Sequence, residues 1–387
     1  LRNRPKFLIS YISKMSAALI DLVSTGAQDV YITGDPQVSF FRQNYKRHTN
    51  FSIKPERMDF VGTFSGGNEV VIPVQSKGDL LSYVWIESPN ISNVGVNTNA
   101  FFANNDTSTT EFSLHIGGQE VCKLDSLFIQ GVHNILYKDT SSKVSCAVTT
   151  DTVAGNAKAA VATERGSDYF VIPFFFSEDW TKSLPLTALQ YHQVEIRIRC
   201  RNGLGSISPK IYGTYVYLDS DERDFLVNTD HELLITQTQY QPTSPTTTDL
   251  DLTYFNHPTK ALHLVSSNAD GTQWSGIQNF SSATLYINGT PLFENTTSTF
   301  HHNVVPEMHT TSLPSGVLDT APLFTWPFCL KMNASQPSGS LNFSRIDNAK
   351  LALEGPTGTS GGINRVYAVN YNILRVKDGM AGIAFGN

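Results

Sequence analysis

Short runs of alternating or wholly apolar residues, separated by polar turns, dominate the chain. They occur at Phe51–Phe60, Glu69–Val74, Leu80–Glu87, Phe112–Ile116, Tyr169–Phe176, Val194–Cys200, Thr214–Leu218, Leu233–Tyr240, Leu250–Tyr254, Ala261–Val265, Ala283–Ile287, Leu323–Phe328, Ala349–Leu353 and Arg365–Val376. Each is expected to be a strand. The pattern is plainest at Val194, Ile196 and Ile198, which face one way while Glu195, Arg197 and Arg199 face the other. That is a strand with one buried and one wet face. Helical spacing is rarer. Ala17–Val23, Lys123–Tyr137 (through Leu124, Leu127, Phe128, Val132 and Leu136), one turn at Asp221–Phe225, and a turn or two opened by Asp35-Pro36 are the expected helices. Many short strands without alternating helices predict antiparallel β-sandwiches, not a parallel βαβ sheet.

The chain also resembles itself. Leu114-His115-Ile116-Gly117-Gly118 matches Leu285-Tyr286-Ile287-Asn288-Gly289, each a strand entering a two-residue turn that demands positive φ. Further on, Ser183–Ile198 lies on Ser338–Leu353 without gaps, placing Val194 on Ala349, Ile196 on Leu351 and Ile198 on Leu353. The same order in both halves predicts two related sandwiches in tandem: residues 1–25 as an N-terminal arm, 26–228 as the first and 229–387 as the second. Polar excursions at Pro89–Thr110, Asp139–Gly166 and Ser266–Gln278 are expected at the surface.

Composition narrows the function. Of 387 residues, 40% are hydrophobic and 11% aromatic, enough for sizeable cores. Only 16% are charged, against about 25% in an average soluble domain. A surface so poor in charge is compatible with extensive contact between subunits. The net charge of −6 argues against a nucleic-acid coat whose main task is phosphate neutralisation. Cys122, Cys146, Cys200 and Cys329 show no metal-site or disulfide-framework spacing and read as buried hydrophobes. No run of 18 apolar residues occurs. Residues 1–14, with Arg2, Arg4 and Lys6 before Phe7–Ile12, only loosely imitate a signal peptide, and Met15 resembles a start.

Candidate chemistry is thin. Gly358-Thr359-Ser360-Gly361-Gly362 fits the G-x-S-x-G pattern, but Pro356 precedes it and no His follows His309, so a flexible turn is expected. His301, His302, Glu307 and His309 cluster without H-E-x-x-H spacing and read as a surface helix or loop. Glu178-Asp179 and Asp219, Asp221 and Glu222 stand beside Lys182 and Arg223, as solvated ion pairs would. Arg42 with Tyr45-Lys46-Arg47-His48 could meet phosphate or an acidic neighbour, or be a solvated face. Sequons stand at Asn50, Asn90, Asn105, Asn279, Asn288, Asn295, Asn333 and Asn342. No catalytic, cofactor-binding or metal-binding residue is assigned and no cofactor is expected.

One stretch carries a resemblance. Gly26-Ala27-Gln28-Asp29-Val30-Tyr31-Ile32-Thr33-Gly34-Asp35-Pro36-Gln37, then Phe40-Phe41 and Tyr45 to Phe51, resembles the N-terminal signature of major capsid proteins of nucleocytoplasmic large DNA viruses. Leu184–His192, Tyr217–Arg223 with His231-Glu232, Asn256–Lys260, Asn342–Ala349, Val366–Arg375 and Gly379–Gly382 continue the likeness in order. The resemblance implies an all-β chain of two tandem eight-stranded antiparallel jelly rolls with a few short helices. It implies a homotrimer forming a pseudo-hexagonal capsomer, and neighbouring capsomers tiling an icosahedral shell over an internal membrane. Minor capsid and penton proteins are implied as partners, without sequence-specific nucleic-acid binding. Residues 1–14 depart from the family's start, and the modest loops suggest low outer towers. Two other readings compete: a glycan-binding attachment protein, with Phe101-Phe102 and Trp274 as platforms, and an assembly scaffold absent from the finished particle. A cupin-type enzyme would want two His separated by one residue on a strand, a pair the chain lacks.

Overall fold

The computed structural model describes residues 17–89, 108–137, 167–266, 279–311, 313, 323–358 and 363–386. The chain forms two units, residues 1–49 and 50–387. In the first, Ala17–Val23 and Val30–Thr33 are helical and the described residues from Asp35 to Thr49 are not. The helix expected at Asp35-Pro36 is absent because Asp35 has φ 46°. An N-cap residue needs extended backbone. The turn falls before it instead, closed by the Gly34 N–H on the Val30 carbonyl.

Residues 50–387 hold four antiparallel sheets. The first half supplies β1 (Phe51–Met58), β2 (Glu69–Val74), β3 (Leu80–Pro89), β4 (Glu111–Ile116), β5 (Gln119–Asp125), β6 (Ser167–Val171), β7 (Leu184–Pro185), β8 (Val194–Arg199) and β9 (Lys210–Leu218). The second supplies β10 (His231–Thr243), β11 (Asp249–Asp251), β12 (Pro258–Ser266), β13 (Ser282–Ile287), β14 (Thr290–Thr297), β15 (Leu323–Pro327), β16 (Leu341–Asn342), β17 (Ala349–Glu354), β18 (Asn364–Lys377) and β19 (Met380–Ile383). Sheet orders are β1-β9-β3-β6 and β2-β8-β4-β5 in one half, β10-β18-β12-β15 and β11-β17-β13-β14 in the other. The short β7 and β16 pair with β3 and β12, and β19 with β18. This is a double jelly roll.

The two halves repeat in register. Glu111–Ile116 runs against Arg199–Val194, and Ser282–Ile287 against Glu354–Ala349, residue for residue. Gly117 and Gly118 (φ 59° and 82°) close one hairpin; Asn288 and Gly289 (47° and 81°) close the other. Leu250, Leu262, Leu285, Trp326 and Leu351 belong to a core inside the second half. The larger core fills the first half and continues onto Ile235, Ala261, Val265, Tyr367 and Val369 of the second.

Several expected elements shift for local reasons. The apolar stretch from Lys123 is strand as far as Asp125, paired with β4. Helix starts only at Ser126, where the Asp125 carboxylate accepts from the Phe128 N–H at 2.7 Å. It runs on as wide turns through Tyr137. Tyr169–Phe176 breaks at Pro173, and Phe175–Ser177 is a tight turn. Leu250–Tyr254 stops at Asp251, whose carboxylate takes the Thr253 N–H and hydroxyl. Asp221–Phe225 widens to a helix over Ser220–Asn228. Most of the long polar excursions lie outside the described residues.

Candidate assembly surfaces

The seam where β10 and its sheet pack on the first half gathers buried charges and hydrogen bonds from both halves. Asp125, 2% exposed, pairs with Arg365 and accepts from the Tyr367 hydroxyl at 2.7 Å. Burial pushes its carboxyl above the ordinary range, opposed by the Arg365 charge. Arg365 also donates to Thr109 and lies 4.3 Å over the Tyr240 ring. Gln237 donates to the Val121 carbonyl at 2.6 Å, and Thr238 to that of Lys123. Phe128 packs on Tyr367 at 5.3 Å, and the Tyr137 hydroxyl is 2.8 Å from His263 Nε2. Burial, aided by the Lys260 charge, pushes His263 down to about 3.

Lys260, 3% exposed, lies 4.6 Å from the Tyr137 ring centroid, its pKa lowered by burial against the pull of Glu178. Glu178 pairs with Lys182 at 2.8 Å and accepts from the Thr236 hydroxyl at 2.8 Å. Burial would raise its carboxyl, but Lys182 and Lys260 hold it below the ordinary range. Glu178 is thus part of the seam and not the solvated pair expected from its neighbours. Asp179 caps the Thr181 N–H, Asp219 caps Ser220, and Arg223 reaches Asp79, which is 7% exposed, at 2.9 Å.

The histidine cluster serves backbone. His301 is fully buried, which corrects the surface reading; its Nδ1 donates to the Thr325 carbonyl at 2.9 Å, its ring packs on Trp326, and burial pushes it down to about 4. His302 and His309 bond the Leu323 and Cys329 carbonyls, while Glu307 points to solvent. Among the described residues no three His, Cys, Asp or Glu converge as a metal site. Thr359 to Gly362, Asn90, Asn105, Cys146, Phe101-Phe102 and Trp274 lie outside the described residues. Cys122, Cys200 and Cys329 are buried free thiols, as expected. Arg42 and Tyr45 to His48 are exposed. Asn50, Asn279, Asn288 and Asn295 are exposed and Asn333 and Asn342 half-buried; Asn288 accepts from the Asp347 and Asn348 N–H groups.

Motif blocks far apart in sequence meet in space. The Tyr191 N–H donates to Gly379 at 3.0 Å, and His192 Nδ1 is 3.0 Å from the Ala381 carbonyl. The His257 N–H donates to Ser344, and that of Phe343 to the His257 carbonyl. The seam residues Asp125 and Arg365 carry no sequence signal, being lone charges at strand ends, and Lys260 is marked only by its place in the Asn256–Lys260 block.

The molecule is thus two jelly rolls fused through a shared core, its described histidines and acids engaged in backbone caps and side-chain pairs. Residues 39–217 match the family described as "Major capsid protein N-terminus", and 222–382 "Large eukaryotic DNA virus major capsid protein". The major capsid protein of Pyramimonas orientalis virus is 30% identical over 96% of this chain and all of its own length. That of Paramecium bursaria Chlorella virus 1 is 28% identical with the same coverage. In structure the chain is similar to PBCV-1 VP54 (TM-score 0.73, 24% identity, 90% of this chain and 100% of that one). It is also similar to the Faustovirus major capsid protein (0.63, 10% identity, 96% of each). The chain belongs to the major capsid proteins of large eukaryotic DNA viruses.

Proposed function

We propose that the chain homotrimerises into a pseudo-hexagonal capsomer, and that capsomers tile an icosahedral shell over an internal membrane. The single observation that carries this reading is the repeat of the two jelly rolls, in the same sheet order and with the β4·β8 and β13·β17 ladders in the same register. Three such chains present six similar walls, as hexagonal packing requires. A threefold closed ring uses heterologous contacts, one face against a different face. The family's capsid role supports a place in the virion, with assembly in the host cytoplasm and with minor capsid and penton proteins as further partners. In this reading the chain acts without catalysis, metal or cofactor, and without sequence-specific nucleic-acid contact. Residues 26–228 and 229–387 would be the two jelly-roll domains, and residues 1–25 an arm.

Light scattering of the purified chain tests this. A stable species of three 42.7 kDa chains, about 128 kDa, is expected at low micromolar concentration. A monomer without tendency to assemble overturns it. Detection of the protein in mature particles then separates shell from scaffold.

A further inference from the structure

Inside the chain, the two halves meet through edge strand β10 and its sheet on one side, and edge strand β5 with helix 126–137 on the other. Sheet order and register give every one of these elements a counterpart. Across the second half, Tyr240, Tyr367, His263 and Thr325 form one row over β10, β18, β12 and β15. Arg57, Tyr212, Trp85 and Val171 form the matching row over β1, β9, β3 and β6. The match is fixed by the short strands and the bulges: β7 pairs with Leu80 and Leu81 as β16 pairs with Pro258 and Thr259, and a register shift follows Leu81 as it follows Thr259, which sets Trp85 on His263. Counting back four residues from Arg57 and from Tyr240 aligns Ile53 with Thr236.

The other wall aligns likewise. Leu114 pairs with Cys122 beside a bulge at Val121, and Leu285 pairs with Leu292, so Leu292 stands opposite Leu285 where Val121 and Cys122 stand opposite Leu114. Helix 300–309 follows β14 as helix 126–137 follows β5. Within the chain, Cys122 Sγ touches the Thr236 carbonyl at 4.0 Å, and helix 126–137 covers Tyr367 and His263. The counterparts are open: Ile53 is 44% exposed, Leu292 41%, Val304 41% and Met308 64%. Trp85 and Tyr212, stacked at 5.2 Å, are half-buried.

From this we infer that β1 and the Tyr212–Trp85 face of one copy dock onto β14 and helix 300–309 of a second copy, with Ile53 against Leu292. The chain thus carries, one on each half, the two walls of an interface it already makes internally. The partner is the same chain, and the contact is head-to-tail. Pro55 and Lys54 on β1 disfavour strand addition. The internal seam likewise joins its edges through side chains. The inference rests on the trimer reading and specifies its surfaces.

The test is a full-length chain carrying both Ile53→Cys and Leu292→Cys, mildly oxidised and run on a non-reducing gel. Cross-linked dimer and trimer are expected, the latter at about 128 kDa for three 42.7 kDa chains, and none from either single variant. The described native cysteines are buried. In a second arm, Ile53→Asp and Leu292→Asp should each weaken assembly by roughly tenfold or more in light scattering, with the circular dichroism spectrum unchanged. A trimeric unmodified chain with no cross-link and undisturbed Asp variants overturns the inference and leaves the trimer standing. Cross-linking by Ile53→Cys alone indicates a twofold contact and overturns it too. A monomeric unmodified chain overturns both.

Discussion

Asp125 and Arg365 stand 240 positions apart in sequence and share one buried site, with side chains 1% and 11% exposed. Removing one partner of such a pair leaves an uncompensated charge out of water. We expect Asp125→Ala to destabilise the protein by about 3–5 kcal/mol, read from the denaturant midpoint. Arg365→Met alone should do comparable damage, because it strands the Asp125 carboxylate. In the second half, burial pushes His263 down to about 3 and His301 down to about 4, below the 6.5 of an exposed imidazole. A histidine of lowered pKa binds its proton more readily when unfolded, so the stability it contributes is full above pH 6.5 and is lost as the pH falls toward the folded value. For His301 that amounts to at most roughly 3 kcal/mol. Unfolding midpoints should therefore drop steadily between about pH 6.5 and 4. His301→Asn should flatten that slope even if its stability at neutral pH is lower; an unchanged slope would show that His301 does not titrate in this range.

At the level of elements, the two hairpins permit a matched comparison. Gly118 and Gly289 sit at φ 82° and 81°, and a Cβ added at either meets nothing within 4 Å. The penalty for alanine is therefore that of left-handed backbone alone. Gly118→Ala and Gly289→Ala should each cost about 1–2 kcal/mol, and nearly the same amount. A large difference in urea midpoints would mean that the two turns are not equivalent in context. These hairpins, and the β8 and β17 strands, were legible because side-chain period and turn chemistry agree there. β14 was not: it is mostly exposed and kinked by positive φ at Phe293 and Asn295, so it carries no hydrophobic alternation. The end of β5 reads as helix, since Leu124, Leu127 and Phe128 fit helical spacing, yet helix begins only after Asp125 caps it. The seam was hidden for another reason. Its central pair, Asp125 and Arg365, is joined across 240 residues, and no local pattern encodes that distance. The walls proposed to meet between copies were readable only once the repeat could be tied to ladder register.

At the scale of the whole molecule, two halves with identical sheet order could unfold as two independent units, yet the packing argues against it. The larger core joins Leu127, Phe128 and Val132 of the first half to Ile235, Ala261, Val265 and Val369 of the second. Parting the halves would expose these residues together with the Asp125–Arg365 pair, Lys260 and Glu178. Among the described residues a smaller core, around Trp326 and Leu285, belongs to the second half alone. Cooperative units follow shared buried contacts rather than sequence repeats. We therefore expect residues 50–387 to melt in one calorimetric transition, with calorimetric and van't Hoff enthalpies equal at protein concentrations low enough to hold the chain monomeric. Assembly would raise the midpoint with concentration without splitting the peak. Two resolved transitions at low concentration would mean that the seam is weaker than either sandwich. Asp125→Ala separates the cases further: a shared core predicts that the whole transition moves down, whereas independent halves would leave the second half's transition in place and release only the first.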